Sequence, residues 1–273
     1  MPALRGTRPL VIAFHCSGGS GRQWRQLEET AAGAFEIVAP DLYGACGIRH
    51  WPGTRPFSLA EEAEPALRLL DAWPEKVHLV GHSYGGGVAL KVAALRPHRI
   101  TSLSLYEPSA FHLLARLGTA GAEAAREIRA VAATVDDGLL TGAYHLAARH
   151  FVDYWNGAGA WDAMKPERQQ ALAAYVPKAA LDFRALLEET TPDTVYRRFG
   201  FPALVMRGEH APLPTEVVAD GLARLLPRGR LEVVRGAGHM GPVTHPAEVA
   251  RRMIAAVADA ELGHSGVQAA EAA

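Results

Sequence analysis

Apolar residues along the chain fall into short continuous runs, separated by longer segments of mixed polarity. The runs occupy residues 9–14, 35–39, 77–80, 102–106, 203–206 and 231–234. Strands that are continuous rather than alternating are typical of parallel sheets covered by helices on both faces. The segments between them predict helices over residues 21–32, 59–73, 84–95, 215–226 and 246–261. The pattern therefore predicts an α/β fold, with a doubly wound, mostly parallel sheet of about six strands.

Residues 109–199 interrupt this alternation, because their apolar positions recur at helical spacing and carry no strand signal. Helices are predicted over residues 110–117, 122–135, 138–155, 166–175 and 179–189, with breaks at residues 156–159, Pro177 and Pro192. We interpret the segment as a helical lid over the carboxyl ends of the strands, where open α/β sheets bind ligands. The expected organisation is a core of residues 1–108 and 200–262, an inserted cap of residues 109–199, and a frayed tail over residues 263–273.

Composition and charge narrow the possible partners. The chain has 273 residues, 49% of them hydrophobic, which is ample for a sizeable core. Its formal net charge is −1, and no run of lysine or arginine lies along a strand or a helix face, so we expect no nucleic-acid partner. We expect no membrane span and no signal peptide, hence a cytoplasmic protein. Cys16 and Cys46 are too few for a disulfide framework, and both are expected to be reduced. The oligomeric state stays open.

A candidate nucleophile lies in the sequence Gly81-His-Ser-Tyr-Gly85, between an apolar run and a helix. A sharp strand-to-helix turn brings neighbouring backbones too close for side chains, so glycine is needed on both sides of the serine. The same turn lifts the hydroxyl to the top of the sheet. The motif therefore predicts that Ser83 is a catalytic nucleophile.

Two backbone N–H groups are candidates for an oxyanion hole, which stabilises the charge that forms on nucleophilic attack. One belongs to Tyr84, directly after the serine, and the other to Ser17 in the glycine-rich loop that follows the first strand. That loop contains neither G-x-G-x-x-G nor G-x-x-x-x-G-K-[ST], so we do not expect it to bind a nucleotide.

A serine hydroxyl needs a base within hydrogen-bond reach, and His239 is the best placed of the twelve histidines. It follows the last strand, in a loop of small residues. His82 adjoins the serine but should point elsewhere and support the turn. His145 and His150 lie five positions apart, so they diverge around a helix, and no H-E-x-x-H motif accompanies them. We therefore expect no metal site.

Together these motifs resemble the α/β-hydrolase superfamily. The resemblance rests on His15-Cys-Ser-Gly-Gly19, Pro40-Asp-Leu-Tyr-Gly44, Gly81-His-Ser-Tyr-Gly85 and Gly236-Ala-Gly-His-Met-Gly-Pro-Val-Thr-His-Pro246. It implies a Ser-acid-His triad in that chain order, a helical cap and no cofactor. Two departures stand out: few residues precede Pro9, so the two usual antiparallel strands should be missing, and Cys16 replaces a glycine. We interpret Cys16 as a small packed residue rather than a reactive thiol.

The acid of the triad is not at its usual place, because Ala211 occupies the position of the family's aspartate. Some members of the superfamily use a carboxylate at the end of the strand that follows the nucleophile. Glu107 ends that strand here and is the predicted acid, with Glu209 as the alternative. Asp41 precedes the nucleophile and is expected to stabilise a loop.

These features predict a serine hydrolase that cleaves a small carboxylic ester through a Ser83 acyl-enzyme. Lactone, thioester and carbon–carbon bond hydrolysis use the same groups and stay open, as does a non-enzymatic small-molecule receptor on the same fold. The lid contains aromatic residues that either line an apolar substrate pocket or pack the lid onto the core. They are Phe111, Phe151, Trp155 and Trp161.

Overall fold

A parallel sheet forms the centre of the protein. The computed structural model describes residues 8–45, 50–53 and 55–271, so Cys46 lies outside the described residues. The strands are β1 (Leu10–Phe14), β2 (Glu36–Val38), β3 (Val77–His82), β4 (Ile100–Tyr106), β5 (Ala203–His210) and β6 (Gly229–Gly238). Their order is β2-β1-β3-β4-β5-β6, and every neighbouring pair is parallel. The predicted fold class is confirmed.

The central strands are apolar throughout because both faces of the sheet are covered. Every residue of β1, β3 and β4 is buried. Alternate side chains of β1 enter different clusters, with Ile12 in one and Val11 in the other. Helices α2 (Leu59–Ala72), α3 (Tyr84–Leu95) and α8 (Leu213–Leu225) cover the first cluster, and α1 (Arg25–Ala31) and α10 (Pro246–Glu271) cover the second. The short helix α9 (Gly241–Thr244) directly precedes α10.

The strand order reverses between β1 and β3, because the chain leaves β1 towards β2 and then returns to the other side of β1. Open α/β sheets bind ligands outside the carboxyl ends of the strands at such a switch point. The loops that follow β1 and β3 carry Ser17 and Ser83, so both residues lie at this position.

A helical insertion separates β4 from β5. It contains the 3-10 helix Phe111–Arg116 and the helices α4 (Gly118–Thr141), α5 (Tyr144–Asn156), α6 (Pro166–Leu187) and α7 (Asp193–Tyr196). We call residues 109–199 the cap. All of them are described, and no strand occurs among them.

Two predicted breaks in the cap differ from the structure. The break expected after residue 135 lies instead at Gly142, whose φ of 75° gives α4 a left-handed end that glycine adopts readily. Pro177 does not end a helix but lies inside α6. The buried side chains around Pro177, among them Val176 and Ala180, fix that helix through tertiary packing, which overrides the local preference of proline.

The segment predicted as a frayed tail is helical up to Glu271. Helix α10 continues past Gly263 to Glu271. Alanine, glutamine and glutamate at positions 268–271 favour helix, while each glycine costs only about 1 kcal/mol. Across residues 8–45, 50–53 and 55–271, none of the helices combines the length and the hydrophobicity that a bilayer crossing requires.

Candidate active site

The backbone is strained at Ser83, between β3 and α3. Ser83 has φ 55° and ψ −121°, a conformation that L residues rarely adopt and that is concentrated at functional sites. Its N–H donates to the Tyr106 carbonyl at 3.0 Å, which holds the turn. A Cβ on Gly81 would lie 2.6 Å from the Gly85 carbonyl oxygen, and a Cβ on Gly85 would lie 2.4 Å from that of His15. Both glycines are therefore required by close backbone contact.

Three predicted site residues meet in one row of hydrogen bonds. The Ser83 hydroxyl lies 2.9 Å from Nε2 of His239, and Nδ1 of His239 lies 2.7 Å from Oε2 of Glu107. All three side chains are buried, at 6%, 3% and 0% exposure in that order. In this geometry the Ser83 hydroxyl can donate to Nε2 while the Nδ1–H of the same imidazole donates to the carboxylate. The row has the geometry of nucleophile, base and orienting acid.

Glu107 is buried among donors. Thr215 Oγ1 donates to its Oε2 at 2.6 Å and the Gly208 N–H donates to its Oε1 at 2.9 Å. Burial raises the pKa of Glu107, but the hydrogen bonds and charge of His239, with the bonds from Thr215 and Gly208, outweigh burial and hold the pKa below its usual value. Glu107 is therefore a carboxylate. The sequence did not indicate Thr215 or Gly208 as partners of Glu107, since they lie on other elements, α8 and β5.

The alternative acids lie elsewhere. Glu209 is exposed, and its Oε2 accepts the Gly236 N–H at 2.8 Å, so the structure does not bring it to His239. Asp41 accepts the Gly21 N–H at 2.8 Å, which ties two loops together. The first contact joins β5 to β6, and the second joins the segment after β1 to the segment after β2.

The two expected oxyanion donors line one pocket together with Ser83. Ser17 lies on the loop after β1, and Tyr84 is the first residue of α3. Within the part of the chain that the structure describes, neither backbone N–H is bonded to another group. Both side chains, in contrast, are bonded: the Ser17 hydroxyl donates to Asp182 and the Tyr84 hydroxyl donates to Glu62, each at 2.7 Å.

The pocket is a cavity of about 340 Å³ between the cap and the loops at the carboxyl ends of the strands. Its wall is largely apolar. Cap side chains in that wall include Phe111, Phe151, Trp155, Met164, Phe183 and Leu186. Trp161 is not part of it and packs edge-on against His145 instead. Trp155 also lies over the imidazole of His239, with 4.2 Å between the ring centroids.

His82 holds the backbone of the candidate base. Its Nε2 donates to the His239 carbonyl at 2.8 Å, and its Nδ1 accepts from the Gln23 amide at 3.0 Å. Burial, together with the neighbouring His239, lowers the pKa of His82 well below its ordinary value, so His82 is neutral. The sequence predicted a supporting role for His82 but not this contact.

The remaining candidates show no reactive arrangement. Burial raises the pKa of the Cys16 thiol to about 12, which disfavours the thiolate. Among the residues that the structure describes, no group of three or more histidine, cysteine, aspartate or glutamate side chains is placed to hold a metal ion.

Comparison with known proteins assigns the chain to a family. A sequence model of the alpha/beta hydrolase family matches residues 10–252. The chain belongs to this family. The resemblance seen in the sequence motifs is thereby confirmed.

Proteins similar to this chain differ in their named activities. The 2-hydroxymuconate semialdehyde hydrolase of Pseudomonas putida is 27% identical over 249 residues, which cover 86% of this chain and 84% of that protein. The dihydrolipoyllysine-residue acetyltransferase component of the acetoin cleaving system from the same species is 38% identical over 104 residues, which span 37% of this chain and only 26% of that protein. A thermophilic esterase from Thermogutta terrifontis superposes with a TM-score of 0.70 at 21% identity, covering 93% of this chain and 91% of the esterase. At this identity the superposition establishes the fold.

Proposed function

We propose that the protein is a serine hydrolase that cleaves small carboxylic esters. The observation that carries the proposal is the bonded row of Ser83, His239 and Glu107 at the edge of an apolar pocket. A receptor would need the pocket, but it would not need a strained serine aligned with a base and a buried carboxylate.

In the proposed reaction Ser83 Oγ attacks the ester carbonyl carbon while His239 Nε2 accepts the serine proton. Glu107 stabilises the imidazolium, and the N–H groups of Ser17 and Tyr84 receive the developing oxyanion. His239 then returns the proton to the departing alcohol, which leaves an acyl-enzyme. Water, activated by the same histidine, releases the carboxylic acid and regenerates Ser83.

The pocket favours a small, mainly apolar substrate. Its volume of about 340 Å³ lies at the lower end of the range of ligand sites, and its wall is mainly aromatic and aliphatic. Two charged side chains also line the pocket: Asp182 is paired with Lys178, and Arg168 donates to the Gly18 carbonyl at one side of the largely apolar wall. An apolar acyl or alcohol group therefore fits most of this wall.

A panel of p-nitrophenyl esters of increasing acyl length, with lactones and thioesters alongside, tests this proposal. We expect the highest kcat/KM for short to medium acyl chains, and stoichiometric labelling of Ser83 by a fluorophosphonate. An unlabelled Ser83 in folded protein would contradict the enzyme interpretation and favour the receptor. A faster reaction with lactones or thioesters would keep the mechanism but change the substrate class.

Activity should fall on acidification, because protonated His239 cannot accept the serine proton. The measurement is kcat/KM for one neutral ester over the range from about pH 5 to about 8, where histidine changes charge. A single acid limb is expected. A rate that is flat over this range would contradict His239 as the base.

Carbon–carbon bond hydrolysis is the second candidate, because the 2-hydroxymuconate semialdehyde hydrolase matches 86% of this chain. Turnover of 2-hydroxymuconate semialdehyde, compared with the best ester of the panel, separates the two. We expect the ester to be preferred; a higher kcat/KM for the semialdehyde would reverse the order of the two candidates.

A further inference from the structure

A buried polar cluster connects the cap to both expected oxyanion residues. We call it the Lys178 cluster and define it as the side chains of Ser17, Glu62, Tyr84, Lys178 and Asp182. Lys178 and Asp182 lie one turn apart on α6 in the cap, whereas Glu62 lies on α2 in the core. Lys178 is 8% exposed, and Glu62 and Asp182 are each 2% exposed. Three ionisable side chains are thus buried together beside the pocket.

Each carboxylate of the cluster joins Lys178 to one oxyanion residue. Lys178 Nζ lies 2.9 Å from Glu62 Oε2, the atom that also accepts from the Tyr84 hydroxyl at 2.7 Å. Lys178 also pairs with Asp182 Oδ1, while Asp182 Oδ2 accepts from the Ser17 hydroxyl at 2.7 Å. In addition, Lys178 Nζ lies 4.6 Å from the centroid of the Tyr84 ring. The cluster therefore fixes Ser17 and Tyr84 through hydrogen bonds to their side-chain hydroxyls, while their backbone N–H groups stay free.

Stability alone does not explain a cluster of this kind. Burial lowers the pKa of Lys178, but the charges of Asp182 and Glu62 outweigh burial and raise it, so the ammonium stays charged. Buried ion pairs of this type are often no more stabilising than apolar side chains of similar volume. Apolar residues at the positions of the charged side chains would hold the cap on the core equally well. What they would lack is the directional hydrogen bonds that fix Ser17 and Tyr84.

We propose that the Lys178 cluster positions the oxyanion hole from the cap. This inference rests on the proposed Ser83 mechanism. Lys178, Asp182 and Glu62 are positioning residues, because they act on the reaction through Ser17 and Tyr84. A second hydrogen bond joins α6 to the loop that carries Ser17, because Arg168 of α6 donates to the Gly18 carbonyl at 2.9 Å. The oxyanion hole then has its working geometry only while α6 is docked on the core.

Ser17→Ala and Tyr84→Phe test the proposal, because each removes the anchoring hydroxyl and keeps the backbone N–H. The readouts are kcat and KM for one ester, and the inhibition constant of an aryl trifluoromethyl ketone. The ketone carbon bonds to Ser83 Oγ, the serine proton passes to His239, and the carbonyl oxygen becomes an oxyanion in the hole. Ketone affinity therefore reports the hole directly.

We expect each variant to lose about 10-fold in kcat, since small displacements of catalytic groups are costly, and to bind the ketone more weakly by the same factor. KM should change by less than about 3-fold, because the ground state makes little use of the hole. The acid limb of the pH profile should not move, because His239 and Glu107 are untouched. Asp182→Asn, made in the cap itself, should give the same pattern.

Lys91→Met is the matched control. Lys91 Nζ pairs with Glu189 of the cap at 2.9 Å, and neither residue lines the pocket. Losing this cap-to-core ion pair should leave kcat within about 2-fold, because the pair shares no contact with the pocket and Glu189 keeps its hydrogen bonds from Thr191.

Folded Ser17→Ala and Tyr84→Phe proteins with unchanged kcat and ketone affinity would overturn the inference. An equal loss of kcat in Lys91→Met would also overturn it, because any weakening of the cap would then have the same effect. A displaced acid limb in the pH profile would overturn it as well, because it would mean that His239 had moved. A wild-type protein that forms no Ser83 adduct with the ketone would instead overturn the proposed function, and this inference with it.

Discussion

Replacing Ser83 with alanine is expected to abolish ester hydrolysis while the protein stays folded. Ser83 Oγ is the only atom of this side chain that the proposed reaction uses, and its hydrogen bond to His239 is one of several that fix the site. Loss of a triad nucleophile reduces kcat by about 10⁴- to 10⁶-fold in comparable enzymes. The free energy of unfolding should change by only about 1 to 2 kcal/mol, because the hydroxyl's hydrogen bonds to His239 and Ser109 are lost while the packing is kept. Steady-state kinetics and urea unfolding measure the two effects.

Ser104→Ala is the matched control for this substitution. Ser104 is also buried, in β4, and its hydroxyl has no hydrogen-bond partner in the described part of the chain. Its loss should leave kcat unchanged and should not destabilise the fold. Purified Ser83→Ala protein that retained most of the wild-type kcat would show that another group is the nucleophile.

The sequence indicated the candidate nucleophile, the candidate base and the central sheet because each of these depends on local constraints. Gly81 and Gly85 are needed by a turn that spans five residues, and the apolar run before the turn is a strand that is buried on both faces. His239 lies in a loop of small residues directly after the last strand. In each case the physical requirement and the residues that meet it are neighbours in the chain.

The cap and the support of the site were harder to predict because their constraints act over long distances. Pro177 looks like a helix break in the sequence, yet the packing of α6 on the core keeps the helix continuous. Thr215 reaches Glu107 across 108 positions, and Lys178 reaches Glu62 across 116. No spacing rule marks such pairs, since the fold alone brings them together.

The position of the candidate acid was partly predictable, because the sequence limits the choice but only the fold decides it. The sequence shows that the usual place is empty, because residue 211 is alanine, and it offers Glu107 and Glu209 as substitutes. Only the course of β4 and β5 separates them. The left-handed backbone of Glu107, with φ 42°, ends β4 close to His239, whereas Glu209 bonds to the Gly236 N–H on the exposed side.

Glu107→Gln is therefore expected to reduce kcat strongly, and Glu209→Gln is its matched control. The amide keeps the size of the side chain but removes the charge that stabilises the imidazolium and fixes the imidazole tautomer. A comparable change in a serine protease triad costs about 10⁴-fold in kcat, and we expect a loss of at least about 10²-fold here.

Glu209→Gln removes the charge of an exposed carboxylate that accepts one backbone N–H, which the amide oxygen can still accept. It should change kcat by less than about 2-fold. Both variants should unfold cooperatively, so that circular dichroism and urea titration exclude loss of fold as the cause of any difference. A large loss in Glu209→Gln with a nearly unchanged Glu107→Gln would overturn the assignment of Glu107, because the charge that assists His239 would then come from the other strand.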